Sequence, residues 1–152
     1  FERLERGMVE RLNRYDRGPE RFGLAHADLR LANLLLVGDS TRVIDFDDSG
    51  DSWFLYDLAT ALTLIDNIEA TPALVEAWLE GYARHRALDG QDLAAIASLI
   101  MMRRIGILAW FGSHHETTMA QDYRELFPIE TCEMAEAYLS CEPSADNLLP
   151  WF

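Results

Sequence analysis

At 152 residues, 49% hydrophobic and 26% charged, the chain is long enough to bury a core and too apolar to be disordered. A formal net charge of -13, from 13 Lys and Arg against 26 Asp and Glu, excludes a nucleic-acid binder built on a basic face. That charge fits a cationic small molecule, or simply a solvated acidic surface.

Phe1, Leu4, Met8, Leu12 and Tyr15 recur at three- and four-residue steps, so residues 1–16 read as an amphipathic helix that Gly18-Pro19 stops. The pattern is already under way at Phe1, and the reading expects more chain upstream. Residues 22–26 form a short buried strand leading into a loop, Asp28 to Asn33. Leu34–Val37 and Thr41–Phe46 flank the turn Gly38-Asp39-Ser40 as a β-hairpin, whose open end brings Asn33 beside Asp45. Residues 47–51 are rich in turn formers and read as a loop. Helices are expected over 54–65, over 71–86 with Pro72 in the first turn, over the strongly apolar 92–112, and over 130–139. An irregular tail follows. Cys132 and Cys141 lack a C-x-x-C spacing, so neither a disulfide framework nor zinc is expected. No apolar run approaches the roughly 20 residues of a bilayer span, no signal peptide is visible, and the chain reads as reduced and cytoplasmic with no membrane partner.

The chemistry concentrates in His26-Ala27-Asp28-Leu29-Arg30-Leu31-Ala32-Asn33 and in Val43-Ile44-Asp45-Phe46-Asp47. An Asp, an Asn five residues later and a carboxylate at the end of a following strand suit phosphoryl transfer. Magnesium takes hard oxygens, usually one or two carboxylates plus the substrate's phosphates. Asn33 and Asp45 can supply such oxygens. Asp28 then remains to orient the attacking hydroxyl and accept its proton. Asp47 is either a bridge to a second magnesium or a solvated loop acid. Arg103 and Arg104 sit on the long apolar helix with one facing the site, there to bind an anion or to form a salt bridge. Trp53, Phe54 and Tyr56 either line an acceptor pocket or pack in the core. His114-His115 reads as an exposed helix end.

The segment His26-x-Asp28-x-x-x-x-Asn33, followed by Ile44-Asp45-Phe46-Asp47 and Tyr56-Asp57-Leu58-Ala59, resembles the C-terminal lobe of the aminoglycoside phosphotransferase and choline kinase superfamily. The resemblance implies a protein-kinase-like fold in which Asp28 is the base or the hydroxyl-orienting group. It implies that Asn33 and Asp45 hold magnesium on ATP, and that Asp57 braces the catalytic loop. Many members carry Gly where this chain has Ala27 and His where it has Arg30. Arg30 either neutralises the transferring phosphoryl group, as a nearby Lys does in protein kinases, or pairs with a neighbouring carboxylate. His26 reads as a buried structural residue bonded to nearby backbone.

The expected fold is mainly α with a small β-hairpin, α+β overall: a kinase-like C-lobe over 1–152. It comprises a catalytic loop at 26–33, a metal-binding hairpin end at 45–47 and a helical substrate-side subdomain at 54–152. No Gly-rich phosphate loop or strand Lys precedes the motif, so the N-terminal nucleotide lobe is expected to be a separate, missing partner and this fragment alone inactive. The expected function is ATP- and magnesium-dependent transfer to a hydroxyl of a small molecule, a cationic acceptor being compatible with the net charge. The alternatives are a protein Ser/Thr kinase of the same fold and a non-catalytic lobe that binds a partner. An uncovered inner face would expose apolar surface and favour self-association.

Overall fold

The computed structural model describes residues 1–142 and 144–152. Helix α1 (Glu2–Arg14) lays Leu4, Met8 and Leu12 into the core, as the sequence spacing requires. Strand β1 (Phe22–Ala25) leads into loop 26–33, which ends in a single 3-10 turn at Leu31–Asn33. Strands β2 (Leu34–Val37) and β3 (Ser40–Val43) form the expected antiparallel hairpin, with Leu34 opposite Val43 and Val37 opposite Ser40, but the return strand ends at Val43 rather than at Phe46 and leaves Asp45 just beyond it. Gly38 takes the left-handed φ of 59° that its turn demands.

Several expectations change here. The segment 47–51, read as a loop, runs into strand β4 (Gly50–Trp53), antiparallel to β1 with Phe22 opposite Trp53. Strand β1 is also less buried than expected: Leu24 is 75% exposed. Helix α2 is shorter than the apolar pattern, Tyr56–Ala61, because the chain turns at Leu62–Ile65 with Leu64 left-handed at φ 65°. Helix α3 (Thr71–Ala83) ends before the expected residue 86, and α4 (Gly90–Ser113) covers its expected span with Ile96 and Ile100 buried. Helix α5 (Thr118–Tyr123) was not anticipated, and α6 (Leu126–Ser140) starts a turn early, with Pro128 accommodated in its first turn.

Helix α4 is the axis of the molecule. By length and composition it could cross a membrane, against the expectation that no such stretch exists. It is instead a core helix: Ile96, Leu99, Ile100 and Met101 are almost wholly buried, with α1, α2 and α6 packed around them. A capping box starts it. Asp89 accepts the N–H of Gln91 and Asp92, and Asp92 accepts the N–H of Asp89 at 3.0 Å. The tail returns to this core through buried Leu149, while Trp151 donates to the Asp66 carbonyl at 3.0 Å. Trp53 and Tyr56 pack in or against the core rather than lining an acceptor pocket. Both cysteines are free thiols.

Asp92 ties three elements together and is almost fully buried. It accepts from Tyr15 Oη at 2.6 Å, Arg21 Nε at 3.1 Å and Arg86 Nη2 at 3.0 Å. Burial alone would raise its carboxyl, but these hydrogen bonds outweigh burial and hold it below the usual aspartate range. Its own burial, and then the same contact, hold the Tyr15 hydroxyl well above the ordinary tyrosine range. A depressed carboxyl stabilises the fold fully above the unfolded value of about 3.9 and loses that contribution as pH falls further. Thermal unfolding followed from pH 6 downward should therefore show a stability loss below about pH 4 that is smaller in Asp92→Asn.

Candidate active site

Loop 26–33 is shaped from beneath by α2. The Asp57 carboxylate accepts the N–H of Ala27 at 2.8 Å and of His26 at 3.1 Å. One turn later Thr60 Oγ1 accepts the Leu29 N–H at 2.8 Å and donates to the Asp57 carbonyl at 3.0 Å. These contacts hold Ala27 at φ 64°, a left-handed conformation that costs a non-glycine residue about 1–2 kcal/mol. That strain gives a physical reason for Gly at this position in many members of the resembled family. Asp57→Ala would strip two backbone donors of their acceptor, at about 1–3 kcal/mol. Amide exchange at His26 and Ala27 should then accelerate by about tenfold or more.

His26 is buried, and its ring bonds to backbone as expected. Its Nδ1 accepts the Asp28 N–H at 3.3 Å, so Nε2 carries the proton and donates to the Ile44 carbonyl at 3.0 Å. The ring thus links the loop to the hairpin end.

Asp28 is the buried centre of the site. Its Oδ1 accepts from Arg103 Nη2 at 2.5 Å, and its Oδ2 accepts from Arg30 Nε at 3.0 Å and Asn33 Nδ2 at 2.9 Å. An ionised carboxylate offers about four acceptor positions. Three are filled among the described residues, which leaves one for an incoming hydroxyl. Arg30 therefore does pair with a carboxylate, namely Asp28. Arg103 is the arginine of α4 that faces the site, and Arg104 points the other way into a buried ion pair with Asp66.

Asn33 and Asp45 flank the open end of the hairpin, where the Ile44 N–H donates to the Asn33 carbonyl at 3.0 Å. The Asn33 amide nitrogen is spent on the Asp28 carbonyl and carboxylate, both at 2.9 Å, so its Oδ1 is left for another partner. Asp45 is exposed and left-handed at φ 67°, a conformation Asp tolerates. Asp47 is exposed on the following turn. Among the described residues no three His, Cys, Asp or Glu side chains gather into a metal cage. One amide oxygen and exposed carboxylates are nevertheless a hard-oxygen set of the kind that binds magnesium together with substrate phosphates.

A cavity of about 510 Å³ opens beside Asp28. Arg30, Arg103 and Thr63 form its polar side, while Leu64, Ile107, Trp110 and Met119 form its apolar wall. Asp48, read from sequence as a plain loop residue, also lines it, and Gly106 widens it by having no side chain. Trp110 stacks on His114, with ring centroids 4.6 Å apart. His114 and His115 are exposed at the end of α4, as expected. Above the site, Leu31, Leu35, Leu36, Ile44 and Phe46 are all at least 40% exposed.

A family model described as "Phosphotransferase enzyme family" matches residues 1–97. The structure superposes on that of a microcompartment-associated aminopropanol kinase with a TM-score of 0.85 and 37% identity, covering 96% of this chain and 46% of that one. It also superposes, with a TM-score of 0.66 and 23% identity over 85% of this chain and 42% of the other, on the amicoumacin kinase hAmiN in complex with AMP-PNP, Ca2+ and Ami. In sequence, amicoumacin kinase of Bacillus subtilis (strain 168) is 24% identical over 132 residues, which is 78% of this chain and 38% of that protein. The chain thus spans less than half the length of each of these relatives. The fold is that of kinase-like phosphotransferases, α+β overall as the sequence implied.

Proposed function

Since the chain belongs to the phosphotransferase enzyme family, we propose that it carries the catalytic lobe of a kinase that moves the γ-phosphoryl of ATP to a hydroxyl of a small amino alcohol. One observation carries this reading. Asp28 has one unfilled acceptor position, lies at the edge of a cavity of small-molecule size, and is bonded to Asn33 at the hairpin end that also bears Asp45. The aminopropanol kinase likeness and the net charge of -13 favour an acceptor with an ammonium group.

In this mechanism the acceptor enters from the Trp110 and Met119 side and donates its hydroxyl hydrogen to Asp28. The hydroxyl oxygen bonds to the γ-phosphorus as the bond to the departing ADP oxygen breaks, and the hydroxyl proton leaves through the Asp28 carboxylate. Arg30, part exposed beside the carboxylate, lies where positive charge can offset the negative charge of the transferring group. Asn33 Oδ1 and the Asp45 carboxylate, with Asp47 next in line, would hold magnesium, which when bound neutralises the donor phosphates. The exposed apolar residues of the hairpin suit contact with the adenine and with a second lobe that closes over it.

Calorimetric titration of the protein at its natural length with AMP-PNP tests the site. Binding should require magnesium, and Asp45→Ala should weaken it by about tenfold or more. Equal binding by the variant would remove Asp45 from the metal site.

A further inference from the structure

On that reading of the site, we infer that Arg103 is a positioning residue for the reaction: it fixes the rotamer of the Asp28 carboxylate. The two arginines on this carboxylate are held very differently. Arg30 is 35% exposed, and among the described residues it bonds to Asp28 alone, through Nε. Arg103 is 16% exposed and is anchored at two points: Nη2 on Asp28 Oδ1 and Nε on Thr63 Oγ1 at 2.9 Å.

The second anchor is itself directional. Thr63 donates its only hydroxyl hydrogen to the Thr60 carbonyl at 2.6 Å, so towards Arg103 it acts solely as an acceptor. Thr60 in turn holds the Leu29 N–H next to Asp28. The guanidinium therefore braces the carboxylate between the core helix α4 and the end of α2. A planar fork bonded at two sites fixes direction as well as charge, which a lysine cannot reproduce. With Oδ1 held by Arg103 and Oδ2 by Asn33, the last acceptor position of Asp28 has a set direction towards the cavity. Arg103 lies outside the family match at residues 1–97, on a helix whose own sequence carries no motif.

The test is steady-state kinetics of Arg103→Met, Arg103→Lys and Thr63→Val at natural length, with magnesium-ATP and 1-amino-2-propanol. Arg103→Met should lower kcat by roughly 100-fold, with both KM values within about threefold of wild type. Arg103→Lys should recover only part of that loss, and added methylguanidinium should raise kcat of Arg103→Met but not of Arg103→Lys. Thr63→Val, which removes one neutral acceptor, should lower kcat by about three- to tenfold. A raised acceptor KM with unchanged kcat in Arg103→Met would overturn the inference and make Arg103 an acceptor-binding group. Unaltered constants would overturn it as well. If wild type transfers no phosphoryl group to this acceptor, the proposed function fails by itself. The positioning role is then read from solvent exchange of the Asn33 side-chain amide, which bonds to Asp28. That exchange should quicken about tenfold in Arg103→Met, and an unchanged rate would overturn the inference.

Discussion

Asp28→Asn should lower kcat for phosphoryl transfer by about a hundred- to ten-thousand-fold, the range for losing a positioned general base, while nucleotide binding persists. The substitution keeps the side chain's volume, so the loop braces from Asp57 and Thr60 remain. It changes two things at the reacting end. An amide accepts no proton from the hydroxyl, and it presents one oxygen where the carboxylate presented two. If that oxygen faces Arg103, the new NH2 group meets the donors Arg30 Nε and Asn33 Nδ2. The amide is pushed off its rotamer, and the hydroxyl loses both its acceptor and its direction. Asn33 keeps its bond to the Asp28 carbonyl and Asp45 is untouched, so calorimetry with AMP-PNP should give a dissociation constant near that of wild type. Kinetics and calorimetry on the same preparation separate the two effects.

Arg104→Met should destabilise the fold by about 3–5 kcal/mol, as expected when one partner of a buried ion pair is removed. That corresponds to a fall in Tm of about 10 °C or more for a chain of this size. Arg104 is 1% exposed and meets Asp66 at 2.5 Å, Thr131 Oγ1 at 3.0 Å and, through its guanidinium carbon, the face of Phe127 at 4.0 Å. Burial pushes the Asp66 carboxyl up to about 6, with Arg104 pulling it back down. The same burial lowers Arg104 below the usual arginine range. Without the arginine the upward push on Asp66 is unopposed. A carboxyl raised in the folded state favours folding as pH drops through its folded value, so the deficit should be larger at pH 8 than at pH 5. The double variant Arg104→Met/Asp66→Asn should recover part of the lost Tm, because the amide leaves no charge to bury.

The site was legible where its chemistry is local. Asp28, Asn33 and Asp45 stand on one loop and one hairpin, and turn residues at 38–40 mark the hairpin unambiguously. His26 was legible for a related reason, because a polar side chain beside a strand must bond to nearby backbone, whereas the bracing role of Asp57 was implied by the family resemblance. What escaped depends on distant pairing. Strand β4 consists of Gly50, Asp51, Ser52 and Trp53, a composition indistinguishable from a loop until β1 is placed beside it. Arg103 and Arg104 are adjacent on an apolar helix, and only the packing of α2 and α6 against α4 assigns one to the site and the other to the core. Asp48 reached the cavity wall through the β4 turn that the loop reading lacked. Helix α5 has six residues, too few for a periodic signal.

In the proposed function this chain serves transfer to an alcohol oxygen. Its most direct test is 31P NMR of the protein at natural length, incubated with magnesium-ATP and 1-amino-2-propanol. A phosphomonoester resonance on the acceptor's oxygen should grow with ADP and be missing with Asp28→Asn. Phosphate on the amine, phosphate on protein serine or threonine alone, or ADP formed with no phosphorylated acceptor would contradict it.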